Sequence, residues 1–371
     1  MSKFKVEFTL KQHTPIIHFQ SGQSGATLRA TELKPKFDRF LKKYAFDGQV
    51  SDKFKIDKTR DTFNYKVKIL MDTPKPSKYT YKTFISKRDR DKLNIREGSY
   101  FGNSEALLGD SVSITFYILQ EKHTVLIEKI REYFADFILI TNFGTRQNKG
   151  FGSFSVTHID GEEKEQNIHK VFLKYYPSYY ITQHQEPLKK IMQDYQRLKS
   201  GISKPQYNKS LLFEYMCSKG IRWEKRMIKE YMKKDYANIF SQLKYEKEPI
   251  DCKIDKRLNY KYIRGLLGTT DRIEFLKRNP KNFKDKIIIK IDSQDKVARF
   301  KSPITFKVID DNIYVLAHNN KHIQGKRFAF SIKGERGILN EIVEIPRGFD
   351  IFDFLDNAMP RLKYTVRKAI S

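Results

Sequence analysis

The sequence predicts an α+β fold in two tandem domains, each built on an antiparallel sheet, the second carrying a helical insertion. Three observations predict it. At 371 residues the chain exceeds the usual size of a single core. Its first part alternates strand and helix periodicity, and its second part is helix-rich before short β-like runs return. Hydrophobic residues make up 39%, with 28 Phe and 21 Tyr. That is enough apolar material for real cores despite a mean hydropathy of −0.63.

The elements follow in order. From Lys3 to Leu10, Phe4, Val6 and Phe8 alternate with Lys5, Glu7 and Thr9, the period-two pattern of a half-buried strand. The stretch from His13 to Thr27 holds Pro15, Gly22 and Gly25 among small polar residues and reads as a loop. Leu33, Phe37, Phe40, Leu41 and Tyr44 then recur at helical spacing, with Lys34, Lys36, Arg39, Lys42 and Lys43 on other faces and Pro35 suited to a first turn. Residues 46 to 110 mix strand-like runs (Tyr65 to Leu70, Tyr79 to Ile85) with connectors rich in Lys and Arg and read as a hairpin or insertion. Val112 to Leu119 is a strand, Val125 to Phe137 a helix, and Ile138 to Thr141 a further short strand. Strand, helix, strands, helix, strand is the ferredoxin-like pattern, also that of RRM domains, in which two helices cover one sheet face.

The polar, acidic stretch from Gly161 to Asn167 closes this unit, and a boundary near residue 166 gives domains at 1–166 and 167–371. The second opens with a Tyr-rich run from Val171 to Thr182 that suits either a core or an interface. Helices are predicted over Leu188 to Leu198, Ser210 to Lys234 and Tyr260 to Leu276. Strands follow at Lys286 to Ile291, Ile304 to Ile309 and Ile313 to Ala317, the last two joined by a tight turn at Asp310, Asp311 and Asn312.

Charge narrows the partners. Lys and Arg number 72 against 44 Asp and Glu, a net charge of +28 that attracts polyanions by counterion release. A bias towards lysine across a whole proteome is the bland alternative. With no apolar run of about 18 residues and no lipidation signal, a membrane partner is disfavoured. Nothing suggests secretion, and Cys217 and Cys252 stand too isolated for a disulfide framework or a zinc site, so a reducing cytoplasm is expected.

The most specific local signal is the run Gly144-Thr-Arg-Gln-Asn-Lys-Gly150-Phe-Gly152-Ser-Phe154, read as a loop after an apolar strand. Gly144, Gly150 and Gly152 permit positive φ and close backbone approach; Arg146, Gln147, Asn148 and Lys149 offer charge and donors to phosphates, with Phe151 and Ser153 inside the same loop. One residue too many separates Gly144 from Gly150 for a P-loop, and no Lys-Ser/Thr pair follows. Lys149 to Gly152 matches the opening of an RRM signature, but Ser153 sits where an aromatic belongs.

Placed at the end of the first unit, this segment resembles the glycine-rich loop of the RAMP superfamily of CRISPR-associated proteins. The run Leu28 to Leu41 resembles the family's segment leading into the first helix, with Lys34 and Arg39 matching, although Pro35 stands for a glycine and Arg39 is shifted by a residue. In the second unit Arg299-Phe-Lys301-Ser-Pro303 is similar to a strand entry in the two-domain RAMP subunit of type III-B effectors. The resemblance implies a non-catalytic subunit near the 3′ region of the guide RNA and its target RNA, beside other RAMP subunits. It assigns RNA contacts to Lys34, Lys36, Arg39 and the glycine-rich loop.

The alternative is a metal-independent RAMP endoribonuclease processing repeat RNA, with His13 or His18 as general base. Such enzymes carry the glycine-rich loop near the C-terminus, whereas here more than half of the chain follows it. Asp110, Asp160, Asp310 and Asp311 do not converge on a metal site, and no cofactor is implied. A second basic constellation holds Arg222, Trp223, Lys225 and Arg226, where Trp223 suits base stacking or, equally, a core anchor. Arg264, between Lys261 and Gly268, belongs to a close-approach loop or a poor helix.

Overall fold

A computed structural model describes residues 2–17, 28–57, 59–71, 75–76, 106–109, 111–202, 208–244, 260–279, 286–296, 300–333 and 342–369. The protein is α+β with several antiparallel sheets. It divides into two compact units. One holds Met1–Ile191, Thr305–Leu316 and Arg367–Ser371; the other holds Met192–Ile304 and Ala317–Val366.

In the first unit, β1 (Lys5–Gln12) buries Val6, Phe8 and Leu10 and turns Lys5, Glu7, Thr9 and Lys11 outward, the alternation its sequence dictates. Helix α1 (Ala30–Tyr44) packs Leu33, Phe37, Phe40 and Leu41 inward. It opens earlier than expected, so Pro35 lies inside the helix and leaves one turn without its N–H. Strands β2 (Lys66–Met71) and β3 (Ser111–Tyr117) follow, then α2 (Thr124–Ile140) and β4 (Phe154–Ile159). The sheet order is β4-β1-β3-β2, antiparallel throughout, with Glu162–Glu163 beyond β4. Phe8, Phe37 and Phe116 converge on Phe134, with ring centroids 4.5, 5.1 and 4.8 Å away.

One expected strand is corrected. Ile138 to Ile140 is helical; α2 runs through Ile140, with Ile138 and Leu139 buried, and only the capping Thr141 is extended. A short apolar run is equally strand and buried helix by periodicity. The strand that completes the sheet is β4, so the glycine-rich segment links a helix to a strand. Of the predicted insertion, Tyr79 to Ile85 lies outside the described residues.

Further along come α3 (Ile168–Tyr175), β5 (Ser178–Gln183), α4 (Pro187–Lys199), α5 (Leu211–Ser218), α6 (Glu224–Asp235) and α7 (Ala237–Phe240). Then follow β6 (Arg272–Leu276), β7 (Lys286–Ser293), β8 (Ile304–Ile309), β9 (Asn312–Ala317), β10 (Arg327–Ile332), β11 (Ile342–Glu344), α8 (Ile351–Arg361) and β12 (Thr365–Lys368). One sheet runs β8-β9-β5-β12 and another β6-β7-β10-β11. The long helix predicted over Ser210 to Lys234 breaks into α5 and α6 around Gly220, whose φ is 78°. The helix predicted over Tyr260 to Leu276 is instead a 3-10 turn, Ile263–Leu267, then β6: Gly268 sits at φ 101° against the Ser302 backbone, where a helix cannot continue. Asp310, at φ 52°, makes the expected hairpin turn between β8 and β9. Tyr176 and Tyr179 are core, buried with Phe172 and Tyr314.

Candidate nucleic-acid interface

The glycine-rich segment is held from three sides within the first unit. Helix α1 presents Glu32 and Lys36 one turn apart, and their side chains pair at 2.7 Å. The Glu32 carboxylate accepts the Gly144 amide at 2.9 and 3.0 Å. Lys36 Nζ donates to the Asn142 carbonyl at 3.0 Å and to Gln147 Oε1 at 2.8 Å, with its ammonium 4.9 Å from the centre of the Phe143 ring. The chain after β1 forms the second side. Gly152 donates its amide to Pro15 O at 2.8 Å, Thr145 donates to Ile17 O at 2.7 Å, and the Thr14 hydroxyl donates to Gly150 O at 2.6 Å.

Strand β8 forms the third side. Asn142 Nδ2 donates to Phe306 O at 2.8 Å, the Phe306 amide donates to Asn148 O at 3.2 Å, and Ser153 Oγ donates to Val308 O at 2.5 Å. Between them Lys307, fully buried, donates to the carbonyls of Ile138, Thr141 and Phe154 at 2.8, 3.0 and 2.8 Å. It caps the last turn of α2, where carbonyls lack partners of their own. Burial without a carboxylate pushes its ammonium well below the usual lysine range.

Gly144, Gly150 and Gly152 adopt φ of 76°, 82° and 66°. A side chain on Gly152 would collide with the Phe143 carbonyl, and one on Gly150 would come within 2.8 Å of Ile191. The amides of Gly150 and Gly152 serve the loop itself: Gly150 donates to Gln147 O at 3.4 Å and Gly152 to Pro15. Gly150, Phe151, Gly152 and Ser153 are buried, whereas Arg146 to Lys149 remain partly exposed. Lys149 donates its amide to Arg146 O at 2.7 Å, so the two cationic side chains belong to one turn. Burial, then the Arg146 charge, brings the Lys149 ammonium down to about 8, and burial also lowers Arg146.

The structure therefore joins Lys36, Gln147, Arg146 and Lys149, and engages Lys34 elsewhere. Lys34 is turned to Asp38 at 2.9 Å, to Phe63 O at 2.8 Å and over the Tyr65 ring at 3.8 Å. Arg39 is exposed on α1. Glu32, Asn142, Thr14 and Lys307 escaped sequence reasoning because their partners lie far away in the chain; the buried Lys in the apolar strand Ile304 to Ile309 was the one available signal.

His13 is not placed as a solvent-facing base. Its Nδ1 accepts the Asp310 amide at 3.0 Å, its Nε2 lies 2.8 Å from Ser155 Oγ, and its side chain is 2% exposed. Burial, with Lys307 second, lowers it to about 4. His18 lies outside the described residues, and among the described residues no group of His, Cys, Asp and Glu could hold a metal.

In the second unit Trp223 is a core anchor, 2% exposed, with its ring 4.5 Å from Phe213. Lys225 lies over it at 5.1 Å. Arg264 is held by the buried Glu224 carboxylate at 2.5 Å, and Arg226 pairs with Glu230 at 2.8 Å. Arg222 reaches the Tyr260 hydroxyl at 3.5 Å, and Lys301 is exposed. Arg299 lies outside the described residues. Among the described residues no helix is long and apolar enough to cross a membrane.

Two family models match the chain, the Cmr1 N-terminal domain over residues 3–202 and the Cmr1 C-terminal domain over residues 207–369. No curated protein matches the chain as a relative. The two models together span nearly all of it, and the chain belongs to the Cmr1 family, a family of RAMP proteins of the type III-B CRISPR complex.

Proposed function

We propose that this chain is a non-catalytic RNA-binding subunit of a cytoplasmic type III-B CRISPR ribonucleoprotein, contacting the guide RNA towards its 3′ region and the target RNA beside other RAMP subunits. The observation that carries the reading is the glycine-rich turn, where Arg146 and Lys149 sit together on a backbone fixed by Glu32, Lys36 and β8. Two clustered cations beside the polar side chains of Gln147 and Asn148 suit the RNA backbone, and the net charge of +28 adds long-range attraction. The buried, doubly engaged His13 favours binding over cleavage.

The strand orders support two ferredoxin-like repeats. The sheet β4-β1-β3-β2 is threaded strand, helix, two strands, helix, strand. The sheet β12-β5-β9-β8 repeats both order and threading, with α4 following β5 and α8 preceding β12. A boundary near residue 166 separates the repeats, and the helices α5 to α7 and the sheet β6-β7-β10-β11 are insertions in the second.

Replacing Arg146 and Lys149 by Ala tests the site. Every phosphate of a single strand that a cation no longer neutralises flattens the dependence of log affinity on log salt by about 0.7, so the double variant should show a slope shallower by about 1.4. An unchanged slope removes the loop from the interface.

A further inference from the structure

The outer face of the first sheet carries a second set of cations around an exposed aromatic ring. In the register of β1, β3 and β2, Tyr117 lies between Lys5 on one side and Lys66 on the other. The next outward row is Glu7, Thr115 and Lys68, and the next Thr9, Ser113 and Leu70. All these positions alternate with buried Val6, Phe8, Val112, Ile114 and Phe116, so they share the face turned away from the core. Tyr117 is 37% and Leu70 55% exposed.

The charges on this face are only partly balanced. Lys5 pairs with Glu7 at 3.0 Å and Lys11 with Asp310 at 2.7 Å. Glu7 is further occupied by the Ser113 hydroxyl at 3.2 Å. Lys66 and Lys68, both exposed, have no carboxylate partner among the described residues. They point outward from alternate positions of one strand, about 7 Å apart, the scale of one nucleotide step. An exposed ring with two unpaired cations alongside is the arrangement that takes a stacked base and its phosphates without reading sequence.

We propose that this face binds single-stranded RNA, with a base stacked on Tyr117, the flanking phosphates held by Lys66 and Lys68, and Leu70 as the apolar contact for the next base. The site is separate from the glycine-rich loop and rests on the RNA-binding reading of the whole chain. Both can be measured on the full chain by anisotropy of a labelled oligouridine over a salt series, comparing Tyr117→Ala, Tyr117→Phe, Lys66→Ser with Lys68→Ser, and Arg146→Ala with Lys149→Ala. Tyr117→Ala should weaken binding about tenfold while Tyr117→Phe keeps most of it, since stacking needs the ring and not the hydroxyl. Replacing the surface-exposed pair Lys66 and Lys68 should lower the salt slope by about 1.4 whatever the stability of the Tyr117 variants. Wild-type affinity and slope in all face variants, with weakening only in the loop variant, overturn the sheet site and leave the loop reading standing. Failure of the wild type to bind overturns both.

Discussion

The sharpest consequence of the loop geometry is a pH dependence carried by one lysine. Burial and the neighbouring Arg146 bring Lys149 from 10.5 to about 8 in the free protein. At about pH 7 roughly nine-tenths of its side chains are charged, and at about pH 9 roughly one-tenth. A phosphate against Lys149 favours the ammonium and raises its pKa, so RNA binding takes up a proton and weakens as pH rises through 8, by up to about tenfold between pH 7 and 9. The effect on folding has the opposite sign. With its folded pKa below the unfolded value, Lys149 binds fewer protons in the native state, and stability rises as pH climbs from about 8 to 10.5. Loss of affinity in this window is therefore not loss of fold at this residue. Anisotropy titrations at constant ionic strength should show the decline in the wild type and its disappearance in Lys149→Arg, whose guanidinium stays charged. A flat wild-type profile, or the same decline in Lys149→Arg, refutes the assignment.

Two further outcomes test the scaffold. His13 is lowered to about 4 mainly by burial, so the native state resists its protonation. Stability due to it should be fully present above pH 6.5 and drain away as pH falls through 4, by about 3 kcal/mol; urea midpoints of the wild type and His13→Asn that fall in parallel with acid would contradict this. Gly152→Ala places a methyl at φ 66° against the Phe143 carbonyl and should cost about 2 kcal/mol or more, visible as a lower thermal midpoint, and an unchanged midpoint would contradict the close approach.

What was legible in the sequence had local causes. The alternation of Val6, Phe8 and Leu10 marks β1, the spacing of Leu33, Phe37, Phe40 and Leu41 marks α1, and Asp310 and Asp311 mark the hairpin turn, because strand faces, helix faces and turns are written over a few residues. Ile138 to Thr141 misleads because a short apolar run has no polar face to reveal its period. The Tyr260 to Leu276 segment misleads because apolar residues at helical spacing outweigh Gly265 and Gly268, whose tight surroundings come from Ile345 and Ser302. At the candidate site the loop cations were visible, but the support was not. Lys307 reaches the end of α2 from the far side of the sequence, and Lys34, read as an RNA contact, is engaged by Asp38 and Tyr65.

The central claim is that this chain works as an RNA-binding part of a type III-B complex. It is tested most directly by purifying a tagged full-length copy from its native host at moderate salt and sequencing the RNA and identifying the proteins that accompany it. Short repeat-derived guide RNAs together with other RAMP subunits are the predicted result, reduced when Arg146 and Lys149 are replaced by Ala. Recovery of the protein free of RNA and of RAMP partners would contradict the account.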